Sequence, residues 1–345
     1  MPSRTRSRVA VTSIALAVAV VTLLASPAPP PASAAPRPQT TVERIFGADR
    51  YETAAAVSAD AFPRTGVITA LVASGVDFPD ALASAAVAGS MDGPVLLTKP
   101  GYLPAASARE ITALSVDSVF VTGGPGAVSD GVLHQLESLT GGAFRFGGAD
   151  RYATAAALLP WWMLEFPDVV FLASGADYPD ALSGAAAGGH LDVPVLLAAP
   201  DRLPAETVAA LGRLAPSRVI ALGGTGSISD AVLESARRAA GDGATAERRG
   251  GATRYDTAVS VSQGTFADPG VPVVYVASGE DFADALAGAA AGGSIGGPVL
   301  LTPPEEAPAA VLAEIRRLAA ERVVILGGTS VVSERVATQI AAAVR

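Results

Sequence analysis

The sequence predicts an α/β protein made of three tandem repeats, each containing a parallel sheet. Four short signatures recur three times in the same order, and within each copy short apolar runs alternate with helical stretches. This alternation is typical of βαβ units, in which helices cover both faces of a buried parallel sheet. The copies span residues 41–140, 143–243 and 246–345, and each is large enough to be a small domain rather than a solenoid unit.

The N-terminal segment, residues 1–34, has the order of a secretory signal peptide. Three arginines lie within the first eight residues, an uncharged apolar run follows over 9–25, and a Pro-rich stretch ends in Ala32-Ser33-Ala34. A short apolar run followed by small residues is typical of a cleaved leader. A retained membrane anchor is the alternative, although the run is somewhat short for a membrane span. We therefore predict export, with residues 35–40 as a linker.

The charge balance excludes some classes of partner. The full chain carries −9, and cleavage after residue 34 removes three arginines and no acid, which leaves about −12. No basic stripe is present, so we expect no nucleic-acid partner, and binding to an anionic polymer needs local positive sites. Later apolar stretches are interrupted by Gly, Pro and Asp, so no membrane contact is expected after cleavage. The chain has no cysteine and must rely on packing alone.

Repeat 1 shows the predicted order of elements. Its apolar runs, which we predict to be strands, cover 42–46, 67–73, 95–98 and 119–122. Its predicted helices cover 49–62, 79–89, 104–114 and 129–139. Residues 81–89 are nearly all Ala, Ser and Gly, so this helix can lie close to a neighbour, and we predict that it packs internally between copies.

The first signature places an Arg-Tyr pair at the start of a helix in every copy. The arginines are Arg50, Arg151 and Arg254. A cation at a helix N-terminus opposes the helix dipole, so each arginine needs a carboxylate partner or a ligand. An internal pair with an acid such as Asp80 and a contact with a bound ligand are both open. A second series, Arg44, Arg145 and Arg248, has the same two alternatives.

The other signatures form glycine-rich turns between a strand and a helix. They are Ala-Ser-Gly…Asp-Ala-Leu, Pro-Val-Leu-Leu, and a Gly-Gly turn followed by a serine. In a parallel sheet these turns share the edge at the carboxyl ends of the strands, where ligands bind and helix N-termini suit anions. We therefore predict ligand binding at this edge. The candidate ligand-binding residues are Arg50, Arg151, Arg254, Tyr51, Tyr152, Tyr255, Ser74, Ser174, Ser278, Asp80, Asp180, Asp284, Gly123, Gly124, Gly223, Gly224, Gly327 and Gly328.

These residues also have a structural explanation. Glycine permits a tight turn, and an aspartate such as Asp80 stabilises the dipole of a first helical turn. The serines after the Gly-Gly turns can cap helices; they are Ser129, Ser229 and Ser333. Trp161 and Trp162 have no counterpart in the other copies, and we interpret them as packing residues, with sugar stacking as the alternative.

Catalysis is not predicted. Asp77 and Asp80 form a carboxylate pair, but all three copies carry it, and triplication is a common route to avidity rather than to catalysis. The histidines, His134 and His190, occupy non-equivalent positions and cysteine is absent, so no metal or other cofactor is expected. The Ser-Gly turns lack a histidine that could activate serine, and the Gly-Gly turn lacks the lysine of a P-loop.

Together the four signatures resemble the cell-wall-binding repeat 2 family, which carries Arg-Tyr-x-Thr-Ala, Ala-Ser-Gly…Asp-Ala-Leu, Pro-Val-Leu-Leu and Gly-Gly in this order. The resemblance covers residues 41–345. It implies a Rossmann-like or flavodoxin-like fold in each repeat and a pseudo-threefold arrangement of the three. In that family the Pro-Val-Leu-Leu segments are associated with anchoring, whereas their apolar character here favours a supporting role. These segments are 94–97, 194–197 and 298–301.

The resemblance implies a secreted, non-catalytic protein at the cell surface. Such a protein attaches non-covalently to an anionic secondary polymer of the cell wall, for example a teichoic-acid-like glycopolymer. Family members often carry a separate effector domain, but the repeats fill residues 41–345, so we expect attachment without an effector. A cell-wall hydrolase or an amidase modifier is the alternative function. A binder of a small phosphorylated ligand, by fold analogy alone, is a third.

Overall fold

The computed structural model describes residues 40–64, 66–78, 80–159 and 167–345, over which twelve strands alternate with twelve helices. The predicted signal peptide, nearly all of the predicted linker, and Trp161 with Trp162 lie outside the described residues. None of the helices within these ranges combines the length and apolar character that a bilayer crossing requires.

The elements follow the predicted order in every repeat. Repeat 1 contains β1 (Thr41–Ile45), α1 (Arg50–Ala61), β2 (Thr69–Ser74), α2 (Ser84–Ser90), β3 (Val95–Thr98), α3 (Ala105–Leu114), β4 (Ser118–Thr122) and α4 (Asp130–Leu139). Repeat 2 contains β5 (Ala143–Phe146), α5 (Arg151–Leu158), β6 (Val169–Ser174), α6 (Pro179–Leu191), β7 (Val195–Ala198), α7 (Ala205–Leu214), β8 (Arg218–Leu222) and α8 (Asp230–Ala240). Repeat 3 contains β9 (Thr245–Arg249), α9 (Arg254–Thr265), β10 (Val273–Ser278), α10 (Ala283–Ile295), β11 (Val299–Thr302), α11 (Ala309–Leu318), β12 (Arg322–Leu326) and α12 (Glu334–Ala343).

All three sheets are parallel and have four strands. Their strand orders are β3-β2-β4-β5, β7-β6-β8-β9 and β11-β10-β12-β1. Counted along the chain, the first two sheets therefore have the order 2-1-3-4, which is the beginning of the flavodoxin order. The third sheet has the same arrangement, with β1 in the place of the fourth strand. The predicted α/β class with parallel sheets is confirmed.

In each sheet, three strands belong to one repeat and the fourth belongs to another repeat. β5 of repeat 2 pairs with β4 of repeat 1, and β9 of repeat 3 pairs with β8 of repeat 2. β1 completes the pattern, because it pairs with β12 of repeat 3 over the register from Thr41↔Arg322 to Ile45↔Leu326. The three sheets are thus closed into a circle by hydrogen bonds between the first and last strands of the chain.

The small-residue helices form the centre of this circle. α2, α6 and α10 pack against one another, and most of their residues are buried. Gly89, Gly189 and Gly293 meet there, since a Cβ on Gly189 would lie 3.1 Å from the Cα atoms of both other glycines. The prediction that this helix packs internally between copies is confirmed, and the contact of three equivalent glycines marks the pseudo-threefold axis.

An aromatic trio lies at the N-terminal ends of the same helices. The ring centroids of Phe78 and Tyr178 are 5.3 Å apart, and those of Phe78 and Phe282 are 6.0 Å apart. Tyr178 and Phe282, whose centroids are 6.2 Å apart, are the residues that precede α6 and α10. In repeat 1 the helix begins only at Ser84, so Asp80 lies in the preceding turn and not in a first helical turn as predicted.

Candidate functional site

The candidate site lies at the carboxyl edge of each sheet, where two repeats meet. In the sheet of β7, β6, β8 and β9, the chain leaves β6 towards β7 and later returns to place β8 on the other side of β6. The carboxyl ends of β6 and β8 therefore form a topological switch point, which is where open α/β sheets bind ligands. We call this edge the 2–3 junction, because β9 and the start of α9 complete it. The 1–2 and 3–1 junctions are the equivalent edges beside β2 and β4 and beside β10 and β12.

An aspartate lies against the Gly-Gly turn in each junction; Asp180 is buried, and Asp80 and Asp284 are partly buried. Gly223 has φ of +98°, and a Cβ there would collide with Asp180 Oδ2. A Cβ on Gly123 would lie 2.8 Å from Asp80 Oδ2, and one on Gly327 would lie 2.6 Å from Asp284 Oδ2. The first position of each Gly-Gly turn therefore requires glycine for two reasons. Its backbone has a positive φ, and the aspartate carboxylate occupies the space that a Cβ would need.

Burial raises the pKa of each of these aspartates. The pKa of Asp284 rises from 3.8 to about 6, mainly through desolvation and then through the nearby Asp281. Burial likewise raises the pKa of Asp80 and Asp180. Ser227 Oγ donates a hydrogen bond of 2.8 Å to Asp180 Oδ2 and partly opposes this shift. Threonines of the following repeat also lower these pKa values by hydrogen bonding; they are Thr154 for Asp80, Thr257 for Asp180 and Thr53 for Asp284.

The Arg-Tyr arginines connect repeats across the junctions. Arg50 Nη2 donates to Asp281 Oδ2 at 2.9 Å, and Arg254 Nη2 donates to Asp177 Oδ2 at 3.4 Å. Asp281 and Asp177 are the repeat 3 and repeat 2 counterparts of Asp77. The internal partner suggested by the sequence, Asp80 of the same repeat, is therefore wrong for Arg50, which pairs with an acid of repeat 3.

Each of these arginines also donates to a backbone carbonyl and lies over an aromatic ring. Nη1 of Arg50 donates to Gly75 O at 2.6 Å, and the equivalent contacts join Arg151 to Gly175 and Arg254 to Gly279. The guanidinium carbons lie 5.6 to 5.9 Å from the centroids of Phe282, Phe78 and Tyr178, respectively, which belong to the preceding repeat in the circle. Within the described residues, Arg151 has these two contacts and no ion pair.

The second arginine series is structural. Arg145 Nη1 donates to Gly123 O at 2.9 Å and its Nη2 donates to Asp130 Oδ1 at 3.0 Å. Arg44 and Arg248 hold the Gly-Gly turns of repeats 3 and 2 in the same way. These side chains are largely buried and have carbonyl partners, so they fix the turn that lies against the aspartate.

The tyrosines and the strand-end serines are less accessible than the arginines. Tyr51 is buried, and a Cβ on Gly75 would lie 2.6 Å from Tyr51 Cε1. Tyr152 and Tyr255 make the same close contact with the glycines of their own Ser-Gly turns. Ser74, Ser174 and Ser278 are buried and accept hydrogen bonds from the N–H groups two residues later.

The remaining sequence signatures serve the fold. Ser129, Ser229 and Ser333 cap α4, α8 and α12, as predicted. The valines and leucines of the Pro-Val-Leu-Leu segments are buried in β3, β7 and β11, which agrees with a supporting role. The second glycines of the turns have open space or only ordinary contacts where a Cβ would lie, so they border the junctions without filling them; they are Gly124, Gly224 and Gly328.

An open cleft of about 260 Å³ lies in the 2–3 junction. Residues of repeat 2, including Asp177, Asp180 and Ser227, form one wall, and Thr253 with Arg254 of repeat 3 forms the other. The cleft brings together a carboxylate pair, a guanidinium and hydroxyl groups. It therefore offers hydrogen-bond acceptors for hydroxyl groups of a ligand and a cation for an anionic group.

Lys99 lies at the same edge of the repeat 1 sheet, and none of the four repeated signatures includes it. Lys99 is the single lysine of the chain and follows β3 directly. Its Nζ lies 5.7 Å from the ring centroid of Tyr51 and 4.9 Å from that of Tyr102. The signal that could have identified it is the position straight after Pro-Val-Leu-Leu-Thr, where repeats 2 and 3 have Ala199 and Pro303.

The groups that would support metal-dependent or histidine-dependent chemistry are not assembled in the part of the chain that the structure describes. No group of three or more His, Cys, Asp and Glu residues there could hold a metal ion. His190 stacks on Phe266 with a centroid distance of 5.0 Å, at the C-terminal end of α6 and away from the junctions.

Comparisons with known proteins agree with this architecture. The family described as cell wall binding domain 2 (CWB2) matches three segments, residues 44–133, 145–233 and 248–337. Two solved structures from Clostridium difficile have the same fold. Cwp6 matches 89% of this chain and 48% of its own, with a TM-score of 0.80 and 23% identity. Cwp8 matches 89% of this chain and 52% of its own, with a TM-score of 0.78 and 24% identity.

Curated relatives match most of this chain at low identity. The N-acetylmuramoyl-L-alanine amidase LytC of Bacillus subtilis (strain 168) is 27% identical over 303 residues, which are 87% of this chain and 58% of that protein. The amidase enhancer of the same organism is 26% identical over 299 residues, 87% of this chain and 40% of that protein. The chain thus spans about half the length of these two relatives.

Proposed function

Because the chain belongs to the cell wall binding domain 2 family, we propose that it is an exported protein that attaches non-covalently to an anionic secondary polymer of the cell wall. Family membership accounts for cell-wall binding as such. A teichoic-acid-like glycopolymer combines sugar hydroxyls with negative charges. The repeat junctions contain groups that suit both features.

The observation that carries this proposal is the cleft of the 2–3 junction. Asp177 and Asp180 offer carboxylate oxygens, and sugar hydroxyls are good donors to such acceptors. The Arg254 side chain is 35% exposed, and its hydrogen bond to Asp177 is long, at 3.4 Å. Its Nη2 can therefore exchange this carboxylate for a polymer phosphate while Nη1 keeps its bond to Gly279 O. The volume of about 260 Å³ is slightly smaller than that of a typical small-molecule pocket, which suits one unit of a longer chain.

The presence of three equivalent junctions allows the protein to bind the polymer tightly even if each junction binds it weakly. The three junctions share the aspartate, the Gly-Gly turn and the arginine at the start of α1, α5 or α9. A polymer with repeating units can occupy more than one junction of the same molecule. The second contact is then intramolecular, and avidity can exceed the single-site affinity by about 10²–10⁴.

The alternative function is that of a hydrolase that cleaves peptidoglycan, or of a protein that modifies the activity of an amidase. The names of the curated relatives motivate this alternative. We propose that the repeats bind without catalysing. The aspartate shared by the three junctions lies against a glycine turn, and among the described residues no histidine lies in the cleft of the 2–3 junction that could complete an acid–base pair with Asp177 or Asp180. These carboxylates therefore serve as hydrogen-bond acceptors for the ligand in this proposal, and not as a general acid or base.

A sedimentation assay tests the binding function. Residues 35–345 are incubated with isolated cell walls, and the pelleted fraction is compared with that on walls from which hydrofluoric acid has removed phosphodiester-linked polymers. We expect a loss of roughly tenfold or more in bound protein on the stripped walls, because the charged polymer is the ligand. Equal binding to stripped peptidoglycan would contradict the proposal.

A dye-release assay tests the alternative. The same protein is incubated with dye-labelled peptidoglycan, alone and together with an amidase from a wall-lysing strain. We expect no release by the protein alone and no acceleration of the amidase. Release that disappears in Asp80→Asn would favour a hydrolase, and acceleration without release would favour a modifier.

A further inference from the structure

We propose that repeat 1 carries an anion-binding subsite that repeats 2 and 3 lack, formed by Lys99 between Tyr51 and Tyr102. Its ligand is a sugar unit that bears a negative charge, either a phosphate or a carboxylate. This inference rests on the proposed function, since the sugar unit is taken to be part of the wall polymer.

The ammonium group of Lys99 is held by aromatic rings and not by acids. Its Nζ lies 4.9 Å from the centroid of Tyr102 and 5.7 Å from that of Tyr51, both within the range of a cation–π interaction. Over the described residues, Lys99 forms no salt bridge, although the protein as a whole is acidic. A hydrogen bond with Tyr102 raises the pKa of Lys99, so the group is charged at neutral pH. The cation therefore has free donors for an external anion.

The two tyrosines differ in exposure, and the difference suits a sugar ligand. Tyr51 is 6% exposed and forms a rigid wall against Gly75. Tyr102 is 51% exposed, so one of its faces is available for a ligand. Gly101 beside it has no atoms near the position of a side chain, which leaves room next to the ring. An exposed aromatic face beside a cation can pack on the apolar face of a sugar ring while the cation contacts its charged group.

The acid that acts electrostatically on Lys99 is already engaged. Asp49 caps α1, and its Oδ1 accepts hydrogen bonds from the N–H groups of Tyr51 and Glu52 at 3.0 and 2.9 Å. It contributes to the electrostatic environment of Lys99 but makes no ion pair with it. An incoming anion therefore does not have to displace an internal carboxylate from the lysine.

The equivalent loops of the other repeats cannot form this subsite. Repeat 2 has Ala199 and Arg202 in the places of Lys99 and Tyr102, so the cation is displaced and the stacking ring is absent. Repeat 3 has Pro303 and Glu306, and Glu306 accepts a hydrogen bond from Arg335 at 3.2 Å. The loop of repeat 3 thus presents an acid where repeat 1 presents an aromatic ring beside a cation.

The single lysine permits a direct titration. Reductive methylation with ¹³C-formaldehyde labels Lys99 and the N-terminal amine alone, and dimethyl-lysine keeps its positive charge. Glucose 6-phosphate, glucuronate and uncharged glucose are then added separately. We expect a saturable shift of the lysine signal with one or both charged sugars and none with glucose, and the stronger of the two identifies the charged group. No saturable shift with either charged sugar would overturn the subsite, as would an undiminished shift in Tyr102→Ala.

Wall binding provides the second readout. We expect Lys99→Gln to weaken binding about tenfold, the effect of one charge-assisted contact, while Lys99→Arg retains most of it. Arg213→Gln, which removes an exposed charge from α7, is the matched control and should bind like the unchanged protein. The double variant Ala199→Lys/Arg202→Tyr should strengthen binding by building the subsite in repeat 2.

The two proposals fail in different ways. If the unchanged protein sediments with walls and Lys99→Gln sediments equally well, the subsite is wrong and the wall-binding function stands. If the unchanged protein does not sediment with walls, the wall-binding function is wrong, and the titration with charged sugars still decides whether Lys99 binds an anion.

Discussion

Arg50 of repeat 1 donates a hydrogen bond from Nη2 to Asp281 Oδ2 of repeat 3 at 2.9 Å, although 231 residues separate them in the sequence. The same guanidinium donates from Nη1 to Gly75 O at 2.6 Å. One side chain at the start of α1 therefore joins the carboxyl edges of two sheets. These two hydrogen bonds stabilise the 3–1 junction, and they also fix the position of the Arg50 guanidinium charge in it.

The Arg50–Asp281 pair should contribute modestly to stability. Its side chains are 33% and 43% exposed, so solvent screens the charges, and a double-mutant cycle with Arg50→Ala and Asp281→Ala should give a coupling of about 0.5–1 kcal/mol in urea unfolding. The Arg335–Glu306 pair, exposed by 63% and 66%, is the control and should give a coupling near zero. Equal couplings for the two pairs would argue against a special role of the junction pair.

Two helix glycines should respond with opposite signs to the same substitution. Gly189→Ala places a Cβ 3.1 Å from the Cα atoms of Gly89 and Gly293, so the central helices must move apart, and we expect a loss of about 1–3 kcal/mol. Gly212→Ala in α7 meets its nearest atom, Ala239 O, at an ordinary 3.6 Å and should gain about 0.5–1 kcal/mol from helix propensity. Thermal and urea unfolding measure both. A stabilising Gly189→Ala would show that the axis is not closely packed.

The glycine of the 2–3 junction should be coupled to its aspartate. Gly223→Ala forces a residue with a Cβ to adopt φ of +98° and to collide with Asp180 Oδ2. In the Asp180→Ala background the collision with the carboxylate disappears, whereas the backbone strain and a close contact of 2.9 Å with Ser227 Cβ are left. We expect a double-mutant cycle in urea unfolding to show a coupling of about 1–2 kcal/mol, within the range for residues in contact. Additive effects would mean that the carboxylate does not occupy the turn.

Asp284 should make stability depend on pH in an unusual direction. Its pKa is about 6 in the folded protein against 3.8 for the free group, so the folded state binds a proton more tightly than the unfolded state. Its contribution is therefore fully favourable below pH 3.8 and is lost as the pH rises to about 6. Asp284→Asn removes this loss and should raise the free energy of unfolding at pH 7 by roughly 3 kcal/mol.

The pH prediction can be checked with urea unfolding at about pH 4, 5, 6 and 7. The difference between Asp284→Asn and the unchanged protein should grow with pH and vanish at the acidic end of this range. Asp268→Asn changes an exposed acid outside the junctions and should show no such trend. A difference that is constant across these pH values would mean that Asp284 is ionised in the same way in both states.

The sequence is informative where the local pattern decides the structure. The runs that form β2 and β3 are mainly apolar and buried throughout, and the serine before α4 caps it as its position predicts. The helix of residues 81–89 is predicted to pack internally because its small side chains allow close approach, and Gly89 confirms this at the axis. Its predicted start is too early in repeat 1, because Asp80 belongs to a turn that the helical pattern of Ala and Ser does not reveal.

The cross-repeat contacts cannot be derived from the same signals. A repeated motif shows that β1 is equivalent to β5 and β9, but not that each completes the sheet of a different repeat. For the same reason the sequence suggests Asp80 as a partner of Arg50, whereas the structure joins Arg50 to Asp281. Lys99 does not stand out in a comparison of triplicated positions, because this residue occurs once. The ligand-binding roles of the junction residues are still predictions.

The pairing of β1 with β12 has a consequence for how the chain can be cut and rejoined. β1 and β12 are neighbours in one sheet, so all three repeats make the same strand pairing with the next repeat in the circle. The position of the chain ends therefore does not determine the fold. A circular permutant that starts at Ala143, with the original ends joined, would restore all three sheets. A chain that lacks repeat 3 would instead leave β1 and β8 without the partner strands β12 and β9.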